Sequence, residues 1–77
     1  MTTATVTTAL TALLGPVVKE QYLYRATQPV PLAKVRLLGN ASWCREIHMS
    51  DSGQKPAFTA LCNFGGQAVT VTGTVAR

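Results

Sequence analysis

Near the start of the chain the apolar residues Val6, Leu10, Leu13, Leu14 and Val17 recur mainly at spacings of three and four. That is the rhythm of one face of an amphipathic helix. Gly15 followed by Pro16 is a helix stop, because glycine accepts the left-handed cap conformation and proline cannot continue the ladder. The spacing predicts a short helix over 5–14, with Thr3 or Thr5 as its N-cap. The threonine content pulls the other way, since β-branched residues favour strands. The alternative for residues 1–16 is an arm that orders only against a neighbouring molecule.

From residue 17 the rhythm shortens. "VVKEQYLYRAT" (17–27) is rich in aromatic and β-branched residues and reads as a strand. "QPVP" (28–31) is an extended break, because neither proline can donate to a ladder. In "LAKVRLLGN" (32–40), Ala33, Val35 and Leu37 alternate with Lys34 and Arg36, which reads as a strand ended by a Gly39-Asn40 turn. "SWCREIHMS" (42–50) and "AFTALCNF" (57–64) read as strands on either side of a polar turn, "DSGQKP" (51–56). Gly65-Gly66 is a tight turn. "QAVTVTGTVAR" (67–77) is a closing strand with Val69 and Val71 on one face and Thr70 and Thr72 on the other.

These elements predict an α+β, mostly β fold: an antiparallel sheet of four or five strands with one short N-terminal helix, in a single small domain over 1–77. The expected core draws on Leu10, Leu14, Val35, Leu37, Ile47, Met49, Phe58, Ala60, Phe64, Val69 and Val71.

The central hairpin has two competing registers, one residue apart. One sets Cys44 opposite Cys62. The other sets Trp43 opposite Phe64, Ile47 opposite Ala60 and Met49 opposite Phe58. A one-residue slip turns every side chain over relative to its partner. The second register matches apolar residues three times, each pair worth about 0.2–1 kcal/mol, and is preferred. It puts Cys62 on the buried face and Cys44 on the other, so no disulfide is expected. It also drives Arg45 onto the core face, unless the charge escapes at the sheet edge or the strand bulges there.

Composition adds two constraints. Of 77 residues, 47% are hydrophobic, which argues against disorder throughout. Only 13% are charged, about half the usual share. A small surface so poor in charge often hides part of itself against a partner or another copy. The net charge is +4, from Lys19, Arg25, Lys34, Arg36, Arg45, Lys55 and Arg77 against three acids. Those cations are scattered. They weakly favour an acidic partner, or they simply keep a small protein soluble. No positive charge precedes Lys19, so a secretory leader is not expected. The uncharged stretch 2–18 holds six threonines and is too short and polar for a membrane span. A cytoplasmic location, or one inside an assembly, is expected, with both cysteines reduced.

Residues 41–66 hold the only Trp, the only His, both Cys and both Phe, and invite chemical readings. Cys44, His48 and Cys62 resemble a metal set, but a structural zinc needs four ligands and the spacing matches no finger or knuckle. Cys44 near His48 and Glu46 resembles a nucleophile with its base. On a strand, however, positions i and i+4 lie about 13 Å apart. Gly65-Gly66 lacks the lysine of a phosphate-binding loop. Neither catalysis nor a metal or other cofactor is expected.

Two non-enzymatic readings remain. The leading one is a protein-interaction or assembly module, either a homo-oligomeric component or a small inhibitor docking on a larger machine. By size alone it is analogous to accessory proteins of viruses and mobile elements. Here the closing strand, uncharged from Gln67 to Ala76, is an unprotected edge that pairs with a partner through Thr70, Thr72 and Thr74. The alternative is a small basic β-rich nucleic-acid-binding protein. Its candidate contacts are Arg25, Lys34 and Arg36, sharing one face if strands 17–27 and 32–40 are neighbours, with Tyr22, Tyr24, Trp43 and Arg45 alongside.

Overall fold

The computed structural model describes residues 3–21, 23–52 and 55–76. The first helix, α1, runs Thr3–Leu14 and buries Val6, Leu10 and Leu14. Its start at Thr3 leaves Thr5 inside the first turn rather than at the cap. Gly15 ends it as expected: at φ 77° its N–H donates to the Thr11 carbonyl at 3.0 Å.

The expected strand over 17–27 is two strands. β1 (Val17–Glu20) and β2 (Leu23–Ala26) form an antiparallel hairpin. Its open end is tied by Thr27, whose N–H and hydroxyl both donate to the Pro16 carbonyl, at 3.0 and 3.1 Å. Tyr22 lies outside the described residues. The proline-rich break is extended, and its last residues form the two-residue strand β3 (Val30–Pro31).

The strand expected over 32–40 is a helix, α2 (Leu32–Gly39). It buries Val35 and Leu38, three apart, and exposes Lys34 and Arg36. Leucine, alanine, lysine and arginine are all good helix formers. Proline at position 31 donates nothing, which costs little where a helix begins. Asn40 ends the helix, its N–H shared between the Arg36 and Leu37 carbonyls. Leu37, expected in the core, is therefore 51% exposed.

The remaining strands are β4 (Cys44–Ser52), β5 (Lys55–Phe64) and β6 (Gln67–Ala76). Gly53 and Gln54, at the centre of the expected 51–56 turn, lie outside the described residues, and the strands run closer to them than expected. Gly65 and Gly66, at φ 60° and 92°, make the tight turn between β5 and β6. Asn63 braces it, its Oδ1 accepting from the Gly66 N–H at 2.7 Å.

The sheet has six strands in the order β1-β2-β6-β5-β4, with β3 also on β6. It is mixed rather than purely antiparallel: β2 and β3 both run parallel to β6. Parallel neighbours need a long crossover, and the segment between Ala26 and Gln67 supplies it. The closing strand is therefore not an edge. β5 pairs with it over Gln67–Thr74 on one side, and on the other β2 pairs at Thr70–Thr72 and β3 at Val75–Ala76. The outer strands of that order are β1 and β4, and the two-residue β3 pairs only with β6.

Both helices lie on one face of the sheet. Alternate residues Phe58, Ala60, Cys62 and Phe64 of β5, and Val69, Val71 and Val75 of β6, are buried in one cluster with Val6, Leu10, Leu14, Val35 and Leu38. The opposite face carries Thr59, Leu61, Thr70, Thr72 and Thr74. Met49, expected in the core, points to the helix side but at the β4 edge, and is 51% exposed. Among the described residues the buried side chains are apolar but for the Tyr24 hydroxyl and the Cys62 thiol.

Gly73 faces Phe58 across β5 and β6. A Cβ at 73 would sit 2.8 Å from Phe58 Cε1 and 3.0 Å from the Ala26 Cβ. Phe58 is fully buried and has nowhere to retreat. Gly73→Ala is therefore expected to cost about 1–3 kcal/mol by overpacking, read as a melting point lower by roughly 5–20 °C. A melting curve indistinguishable from wild type would show that the ring is not held there.

Candidate functional site

The chemistry-rich segment 41–66 folds around one irregularity. From Glu46 onward the β4–β5 ladder follows the apolar-matched register, with Ile47 opposite Ala60 and Met49 opposite Phe58. Before that point Cys44 stands opposite Cys62, and the register shifts between Cys44 and Glu46. Arg45 is the extra residue of a β-bulge, which turns its charge out of the core and leaves it exposed. The bulge was one of two escapes available to Arg45, but its effect on Cys44 overturns the expectation that the cysteines occupy opposite faces.

The two thiols are side by side and unlinked. Cys62 is buried and Cys44 half-buried. Burial pushes the Cys62 thiol up to about 12, helped by the neighbouring Cys44 and a side-chain hydrogen bond with it. The Cys44 Sγ donates to the Glu46 carbonyl at 3.8 Å, across the bulge. Beside it, Trp43 stacks on Phe64 with ring centroids 4.6 Å apart, and the Trp43 carbonyl accepts from the Asn63 N–H at 2.7 Å.

His48 does not join the cysteines. It lies on the open face and pairs with Glu46, Nε2 to Oε1 at 2.9 Å, with both side chains more than half exposed. No group of three or more His, Cys, Asp or Glu close enough to share a metal ion occurs among the described residues.

The basic residues are not brought together either. Arg25 sits on β2 on the open face and is taken by Glu20, Nε and an Nη reaching Oε1 at 2.8 and 2.7 Å. Lys34 and Arg36 belong to α2, in the helix layer on the other side of the sheet. Tyr24 is buried, with a hydroxyl that finds no protein partner; its ring is not available for stacking on a base.

The threonines read as partner contacts lie along the middle of the sheet. Thr70 and Thr72 are half-buried and Thr74 is exposed. The Thr72 hydroxyl donates to the Phe58 carbonyl at 3.0 Å. Thr70 and Thr72 are paired on both sides, with β5 and with β2, and Thr74 is paired with Ala57 of β5.

A long free backbone edge belongs instead to β4. Eight of its nine residues, all but the bulged Arg45, pair with β5. Between β4 and α2 runs an open groove of about 470 Å³, lined by Leu32, Val35, Arg36, Gly39, Asn40, Ile47 and Met49. Sequence reasoning missed it because it depends on segment 32–40 being a helix.

No family model matches the chain, and neither a curated protein nor a solved structure matches it significantly. No described helix is long and apolar enough to cross a membrane.

The Trp43–Phe64 stack holds the bulged end of the hairpin to the core. Removing it through Trp43→Ala, Phe64→Leu and the double variant is expected to reveal a coupling of about 1 kcal/mol. Additive single-variant losses in denaturant unfolding would show that the rings contribute only by burial.

Proposed function

We propose that the protein is a non-enzymatic assembly module that pairs with a second copy of itself through the free edge of β4. The observation that carries this reading is an apolar groove set directly beside an unpaired strand edge. Strand edges invite pairing, and the groove lets side chains add to the backbone bonds. Met49, 51% exposed, and Leu32, 41% exposed, line that groove. Leu37, on the same helix, is exposed as well.

The choice of a second copy as occupant rests on the sequence of the strand. Antiparallel pairing of two β4 strands centred on His48 sets Ile47 opposite Met49 twice. The same arrangement lays the Arg45 end of each strand beside the Asp51 end of the other. Apolar residues then meet apolar residues at the centre of the seam. The middle of the strand, Ile47 to Ser50, carries no lysine, proline or acid to discourage pairing. A C2 interface of this kind is self-complementary and closes on a dimer.

Sedimentation equilibrium over a range of concentrations tests this. The wild type is expected to be dimeric. Met49→Lys is expected to be monomeric while losing less than about 0.5 kcal/mol of monomer stability, since the side chain is half exposed. A wild type that stays monomeric at high concentration overturns the reading. So does an oligonucleotide complex formed at ~50 mM salt and abolished by Lys34→Ala with Arg36→Ala, which would establish the phosphate-binding alternative instead.

A further inference from the structure

The bulge at Arg45 brings together the only two cysteines of the chain, and no part of the assembly reading uses them. We propose that Cys44 and Cys62 form a reversible oxidative-modification site, closed into a cross-strand disulfide by a low-molecular-weight disulfide of the glutathione class.

The geometry of the ladder supports closure. The Trp43 carbonyl accepts from the Asn63 N–H, and the Cys44 N–H donates to the Ala41 carbonyl, not to Cys62. This pattern makes Cys44 and Cys62 a non-hydrogen-bonded antiparallel pair. Such pairs have Cα atoms about 4.5 Å apart, inside the roughly 4.4–6.8 Å range a disulfide spans. Cross-strand partners in an antiparallel ladder turn their side chains to the same face, so both thiols stand on one side of the sheet. Had the ladder kept the Ile47–Ala60 register throughout, the cysteines would have been offset by one residue and on opposite faces.

Access is graded. Cys44 is half-buried and meets solvent first, whereas Cys62 is buried. Cys62 borders a cleft of about 390 Å³ whose other walls include Arg45 and Glu46.

The steps balance as follows. Cys44 thiolate attacks one sulfur of the oxidant; a mixed disulfide forms and one oxidant thiol leaves with the first proton. Cys62 thiolate then attacks the Cys44 sulfur. The Cys44–Cys62 bond forms, the mixed disulfide breaks, and the second oxidant thiol leaves with the second proton. The protein loses two electrons and two protons, and the oxidant gains both. The second step is slow at neutral pH, because burial keeps Cys62 protonated. It quickens as pH rises, since only thiolate attacks. The closed ring joins the bulged ends of β4 and β5 and lowers the entropy of the unfolded chain.

Native protein is incubated with millimolar oxidised glutathione at low protein concentration, then blocked with an alkylating agent and digested without reduction. The expected product is an intramolecular Cys44–Cys62 peptide link. The intact mass falls by about 2 Da, for two hydrogens lost, the melting point rises by roughly 10 °C or more, and dithiothreitol reverses both. Cys62→Ala is expected to stop at one glutathione on Cys44. The proposal is overturned if the wild type itself stops there with Cys62 still alkylated after unfolding, if the only link is between chains, or if neither thiol reacts. Should Cys62→Ala fail to fold, the wild-type peptide map decides alone. The readout is covalent and made on dilute protein, so it stands whether or not β4 self-associates.

Discussion

The fold depends on placing Gln67–Ala76 in the interior of the sheet, between β5 on one side and β2 and β3 on the other. This strand is free of charge and heavy in valine and threonine, a composition that in the open would pair with any strand it met. β5 satisfies one side of its backbone, and β2 and β3 satisfy the other in turn. The parallel contacts are what force the topology. β2 lies next to β6 but is separated from it in sequence by more than half the chain, so everything between them is crossover. α2 and the β4–β5 hairpin occupy that crossover, which is why the hairpin ends up as the outer margin. Phe58 over Gly73 fixes how closely the layers approach: glycine removes the one Cβ that would meet the ring, and Ala26 keeps the β2 side equally small.

A second constraint acts at the margin. The apolar residues of β4 alternate cleanly from Ile47 to Met49, and Trp43 must still reach Phe64. A regular strand from 43 to 49 meets both demands only by sending Arg45 into the core. Burying an unpaired guanidinium costs several kcal/mol, far above the few tenths lost with a ladder bond or two near an edge. The strand bulges instead. Cys44 then moves into register with Cys62, so a charge-avoidance device upstream creates a thiol pair downstream.

How much of this was legible depended on how long each pattern ran. α1 shows its apolar spacing over three turns and ends in Gly15-Pro16, so period and stop agree. Gly65-Gly66 and the faces of β6 were equally plain. Segment 32–40 was not: Ala33, Val35 and Leu37 fit a period of two, while Val35 and Leu38 fit a helical turn, and a run that short cannot separate them. The helix-forming propensities of Leu, Ala, Lys and Arg carried the distinction. The position of β6 was hidden for a different reason. An uncharged, β-branched strand looks the same whether it is an unprotected edge or a buried centre, although such runs are the usual mark of a strand flanked on both sides. At the site, the bulge was foreseeable from Arg45, but its length and direction were not. The groove required the helix at 32–40 and stayed invisible without it.

Moving the free edge from β6 to β4 changes what an interface can discriminate. A threonine ladder is neutral and reads the same in either direction, so it would select no orientation. β4 carries two of the three acids of the chain, Glu46 and Asp51, and one of its seven lysines and arginines, Arg45. The third acid, Glu20, is occupied by Arg25. Arg45 and Asp51 stand near opposite ends of the strand, six residues apart. Two copies laid parallel in register would set like charges against like, which is destabilising. Laid antiparallel, the arginine end of each copy lies beside the aspartate end of the other, and Ile47 meets Met49 between them. In the proposed pairing the few charges of β4 would therefore select the antiparallel orientation while contributing little affinity, and the apolar groove beside them would supply the attraction.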